Sequence, residues 1–141
     1  MIIVVDASVI IKWLLRDRER EEHTDKATDL MERVSSGEQE ILQPVHWLLE
    51  VGGVLARDSP HTVADDISML AALELPSTDD PQSLRRAAEL AVELRQHLFD
   101  TYYHAVALEV RDCTLVTADE RYLRAARRKG RIMSLKDWNA T

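Results

Sequence analysis

The chain has 141 residues, 45% hydrophobic and 30% charged, the make-up of one globular domain spanning 1–141 around a single core. No apolar run approaches the ~20 residues a membrane span needs, and the opening M-I-I-V-V-D turns acidic at once, unlike a secretory leader. One cysteine, Cys113, excludes an internal disulfide framework and a metal-thiolate cluster, so a cytoplasmic protein is expected, and a formal net charge of −7 argues against a chain coated in positive potential for DNA.

In chain order, Ile2–Val5 is a short β-branched run of the kind that forms a strand buried on both faces. A helix is expected over 8–15 and a polar helix over 24–35, stopped near Gly37, followed by a short strand at Ile41 and Leu42. Helices are then expected over 45–57, 61–73, 81–96 and 100–111, with Pro81 suited to a first turn, where its missing N–H costs nothing. Cys113–Thr117 reads as a second buried strand, 120–129 as a helix ended by Gly130, and Ile132 and Met133 as a last strand. Short apolar strands separated by helices indicate an α/β protein with a mainly parallel sheet. Ligands of such sheets bind outside the carboxyl ends of the strands.

Four acids border these elements. Asp6 directly follows the first strand in V-V-D-A-S-V-I-I-K-W, and Asp119 closely follows the other in L-V-T-A-D-E-R-Y-L. Either could simply cap the next helix. Glu50, in V-H-W-L-L-E-V-G-G-V-L, shares a helical stripe with Trp47 and Val54, where a carboxylate is costly unless a cation or donors stabilise it. Arg57 is a structural partner of long reach. Asp100 opens the expected helix D-T-Y-Y-H-A-V-A-L, where capping is the simpler role. Gathered at one sheet edge, four carboxylates would repel one another unless a hard cation lay among them, and an oxygen-only set suits Mg²⁺ or Mn²⁺ rather than Zn²⁺.

The remaining features are plainer. Asp65, Asp66, Asp79 and Asp80 read as solvated acids, His104, one turn from Asp100, as its hydrogen-bonding partner rather than a substrate contact, and Cys113 as a buried small hydrophobe. Gly52 and Gly53 are unfavourable inside a helix and suit the close approach of another element. Residues 121–131 carry six positive charges, among which Arg121, Arg124 and Arg128 are candidate RNA contacts; a solvated helix face is the alternative. The histidines lack zinc spacing, and neither a G-x-S-x-G elbow nor a phosphate-binding glycine loop occurs.

V-V-D-A-S-V-I-I-K-W-L-L resembles the opening of PIN-domain proteins, specifically the VapC-like toxins of type II toxin–antitoxin systems. W-L-L-E-V-G-G-V-L, H-L-F-D-T-Y-Y-H-A-V-A-L and L-V-T-A-D-E-R-Y-L are similar to their second, third and fourth motifs, in the same order. The resemblance implies an α/β/α sandwich with a short, mainly parallel central sheet, and a metal-dependent endoribonuclease using one or two Mg²⁺ ions. It implies a homodimer neutralised by a small antitoxin. The four acids fall on Asp6, Glu50, Asp100 and Asp119, as catalytic residues and metal ligands, and the supporting hydroxyls on Ser8 and Thr117. Many relatives carry Asn where this chain has Gly53. Trp13, Leu14 and Trp47 are candidate anchors for an antitoxin in a groove of the first helices, or ordinary core.

Four alternatives bear on this reading. A PIN nuclease of RNA maturation would share the site without the toxin role. A receiver-type signalling domain would want paired acids after its first strand, where Asp6 stands alone. A dehalogenase-like phosphatase would want a second Asp where Ser8 stands. A non-catalytic protein-binding module would have no need of all four acids.

Overall fold

The first apolar run forms β1 (Ile2–Val5), which lies parallel to β4 (Cys113–Thr117), with Val5 opposite Val116. Ile3, Val4, Val5, Leu115 and Val116 are buried, as expected of a strand covered on both faces. On the other side of β4 runs β5 (Ile132–Ser134), also parallel, giving the order β1-β4-β5. The computed structural model describes residues 1–15 and 23–140.

Because the strands are parallel, the chain leaves β1 and β4 at the same edge of the sheet. There it enters α1 (Ala7–Leu14) and α7 (Glu120–Ala126), respectively. The intervening helices are α2 (Thr24–Ser36), α3 (Trp47–Asp58), α4 (Val63–Ala72), α5 (Pro81–Leu94) and α6 (Leu98–Glu109). α6 packs on β1 and β4 and is covered by α5, while α1 packs on β4, α2 and α3. This is an α/β fold with a short parallel sheet flanked by helices. Among the described residues no helix is long and apolar enough to cross a membrane.

Local chemistry sets the boundaries. Asp80 caps α5 by accepting from the Gln82 amide at 3.0 Å, with Pro81 in the first turn as expected. α7 tightens into a 3₁₀ turn at Arg127–Lys129 and stops at Gly130, whose φ of 77° suits glycine.

The strand expected at Ile41 and Leu42 is displaced. Ile41 makes an isolated bridge to Ile3, and the short strand is β2 (Gln43–Pro44), paired with β3 (Ser77–Thr78), which the sequence did not signal. Pro44 has no N–H to continue a ladder. The buried Gln43 side chain extends the pairing instead: its Oε1 accepts from the Val5 amide and its Nε2 donates to the Val5 carbonyl, both at 2.8 Å. The end of β1 is thereby pinned one residue before Asp6.

Of the two roles open to Trp13, Leu14 and Trp47, the structure shows ordinary core: all three are buried in this chain's own hydrophobic cluster. One expectation about packing is corrected. Asp66 is buried rather than solvated and accepts a hydrogen bond from Thr62 Oγ1 at 3.0 Å. Gly52 does allow close approach, since a Cβ there would lie 3.1 Å from Ile67 Cδ1 of α4. Gly53 faces open space.

Candidate active site

Asp6 caps α1: its Oδ2 accepts from the Ser8 amide at 3.1 Å and from the Ser8 hydroxyl. Asp119 caps α7 in the same way, with Oδ1 accepting from the Tyr122 amide at 3.0 Å. The capping role is therefore real for both acids, and it engages one oxygen of each carboxylate. Ser8 and Thr117 brace the same two turns. Ser8 Oγ accepts from the Ala118 amide, and Thr117 Oγ1 accepts from the Asp119 amide, both at 3.0 Å.

Asp100 does not open its helix. α6 begins at Leu98 and is capped by His97, whose Nδ1 accepts from the Phe99 amide at 3.0 Å. Histidine is an uncommon cap, which is why the sequence placed the start two residues late. Asp100 lies in the first turn, relieved of capping duty.

Glu50 lies in the first turn of α3. Arg57 is not its partner, because Arg57 pairs with Asp58 at the surface. Its partner is His46, one turn back, with Nε2 lying 3.2 Å from Glu50 Oε2 and 3.0 Å from the Phe99 carbonyl. The imidazole stacks on Tyr102 at 4.9 Å between ring centres and so ties α3 to the start of α6. Sequence reading missed His46; its i,i+4 spacing to Glu50 was the available signal.

The four elements converge. Asp6, Glu50, Asp100 and Asp119 line one cleft of about 330 Å³ at the carboxyl edge of the sheet, with Ser8 and Lys12 beside them.

Comparison with known proteins supplies the lineage. The family model for the PIN domain matches residues 3–128. The chain belongs to the PIN domain family. PIN domains have a nuclease-type α/β/α fold and generally use divalent metal ions. No curated protein matches the chain.

The electrostatics of this PIN domain's cleft favour a cation. Burial pushes the Asp6 carboxyl up from its ordinary 3.8 to about 7; the hydrogen bonds from Ser8 oppose the rise, and the charges of Glu50 and Asp100 add to it. The Asp100 carboxyl is also raised, by burial first and then by Glu50 and Asp119. Glu50 Oε2 and the Tyr103 hydroxyl are buried without a well-formed hydrogen bond. Among the described residues no three His, Cys, Asp or Glu side chains converge tightly enough to hold an ion unaided.

Outside the cleft, His104 is structural, and its partners are Tyr122 and Gly130 rather than Asp100. It is fully buried, with Nε2 donating to the Gly130 carbonyl at 2.8 Å and Nδ1 accepting from the Tyr122 hydroxyl at 3.0 Å. Cys113 is buried, and its thiol is pushed up to about 11, so it stays protonated. The basic stretch divides by role. Lys129 pairs with Glu93, and Arg131 donates to the Val110 carbonyl at the end of α6 at 2.8 Å. Arg121, Arg124 and Arg128 remain exposed, and of these three only Arg124 lines a cavity beside the cleft.

Proposed function

We propose that this PIN domain is a metal-dependent endoribonuclease, using Mg²⁺ or Mn²⁺, and that it is the toxin of a toxin–antitoxin pair. The observation that carries the nuclease reading is the meeting of four carboxylates, borne on four separate elements, in one cleft of a nuclease-family fold. The toxin assignment rests on the resemblance of the four motifs to VapC-like proteins. That resemblance also carries a homodimer and a small antitoxin partner, while the lone Cys113 carries the cytoplasmic location.

In this reading Asp6, Asp100 and Asp119 supply oxygen ligands, and Glu50 orients the attacking water. A bound Mg²⁺ would offset charge developing on the phosphate and make that water easier to ionise. Ser8 and Thr117 hold the strand ends, so the ligands enter the reaction already positioned. His46 holds Glu50 against α6. The water oxygen bonds to phosphorus in line with the departing ribose 3′-oxygen, Glu50 takes the water's proton, and the 3′-oxygen leaves with a proton from solvent. The products carry a 5′-phosphate and a 3′-hydroxyl, and no histidine acts as an acid or base.

End-group analysis of cleaved RNA tests the chemistry: 5′-phosphate ends are expected, and 2′,3′-cyclic phosphates would overturn it. Expression of this chain alone, with no antitoxin supplied, tests the biology. Growth arrest that disappears in Asp6→Asn is expected of a toxin, whereas unimpaired growth with an active nuclease would favour a role in RNA maturation.

A further inference from the structure

A second cavity, of about 290 Å³, adjoins the acidic cleft and shares Lys12 and Ala118 with it. Its lining brings together Lys12 from α1, Arg124 from α7 and Lys136 from the turn after β5, three cations from three separate elements. Among the described residues one carboxylate, Glu120, lies with them, and its Oε1 accepts from Ser134 Oγ at 2.9 Å. We propose that this basic cavity is a phosphate subsite, holding a backbone phosphodiester of the nucleic-acid strand next to the one cleaved. The proposal rests on the nuclease reading above.

Three observations lead to it. The chain is acidic overall and the cleft gathers four carboxylates, so a polyanion approaching the cleft is repelled unless fixed cations hold it there. The cations are accessible: Arg124 and Lys136 are exposed, and neither makes an ion pair among the described residues. Finally, among the described residues the cavity's lining holds no Trp, Tyr or Phe, and its one ring is the His23 imidazole. Guanidinium and ammonium groups recognise a phosphate, which positions a strand without reading its sequence.

The test compares Arg124→Ala and Lys136→Ala with Arg111→Ala. The last removes the same charge just before β4, at the end of the strand away from the cleft. Binding and Mg²⁺-dependent cleavage of a mixed-sequence single-stranded RNA are measured across a salt series. Each cavity variant should lower the salt slope of binding by roughly 0.7, the value of one phosphate contact on a single strand. KM should rise roughly tenfold with kcat near wild type, as expected when uniform binding is removed. Arg111→Ala should match wild type. Cavity variants whose slope and KM equal those of wild type, or a control that falls equally, would overturn the subsite while leaving the nuclease intact. Absence of Mg²⁺-dependent cleavage by the wild-type protein would instead defeat the underlying reading.

Discussion

Ser8 and Ala118, 110 positions apart in sequence, are joined by a 3.0 Å hydrogen bond from the Ala118 amide to the Ser8 hydroxyl. The same hydroxyl donates to Asp6 Oδ2. One side chain therefore locks the exit of β1 to the exit of β4 and orients the most buried of the four carboxylates.

Ser8→Ala should remove both effects. It leaves the Ala118 amide without its partner, which costs roughly 1–3 kcal/mol for a group withdrawn from water. It also removes hydrogen bonding that lowers the Asp6 carboxyl, which then rises above about 7 and binds a cation less well at neutral pH. Denaturant unfolding with and without Mg²⁺ checks this. Unchanged stability together with unchanged Mg²⁺ affinity would refute the bracing role.

The raised Asp6 carboxyl also predicts a pH dependence. Between about 3.8 and about 7 the folded protein holds a proton on Asp6 that the unfolded chain has released, so this group's contribution to stability is lost as pH rises through that window. Asp6→Asn keeps an amide able to cap α1 and cannot ionise. In EDTA its melting temperature should exceed wild type by several degrees above pH 7 and converge with it near pH 4. Mg²⁺ favours the ionised form, so its stabilisation of the wild type should grow as pH rises through about 7 and be absent in Asp6→Asn. Thermal melts over a pH series decide the matter, and a wild-type advantage above pH 7 in EDTA would contradict it.

The two glycines of α3 should respond in opposite ways. Gly53→Ala adds a methyl to open space within a helix and should stabilise the fold by about 1 kcal/mol. Gly52→Ala places its methyl 3.1 Å from Ile67 Cδ1, so α3 and α4 must shift or Ile67 must change rotamer, and the gain is lost or reversed. A pair of unfolding curves separates them, and equal stabilisation by both would show that the α3–α4 contact is looser than described.

Much of this fold is legible in the sequence because the sheet is buried on both faces. Ile2–Val5 and Cys113–Thr117 announce themselves as unbroken apolar runs, and the acids that follow them stand at strand ends. The two-residue strands β2 and β3 have no periodicity to detect, and the join between β2 and β1 depends on the amide of Gln43, a side chain acting as backbone. The start of α6 was misplaced because its cap is a histidine, and Asp100 was consequently assigned a duty that His97 performs. Asp6 and Asp119 cap the helices that follow them and also line the cleft, so a capping role does not remove either from it. Trp13 and Trp47 show the limit of pattern. An apolar stripe records that something covers it, and only the fold shows that the cover is the chain itself.

The most direct test incubates the purified, folded protein, free of any partner, with a mixed pool of tRNA and rRNA in Mg²⁺ or EDTA, beside Asp6→Asn. The four-carboxylate account predicts cleavage that requires both Mg²⁺ and Asp6. Cleavage that survives EDTA or the Asp6→Asn substitution, or no cleavage of any RNA in the pool, would contradict it.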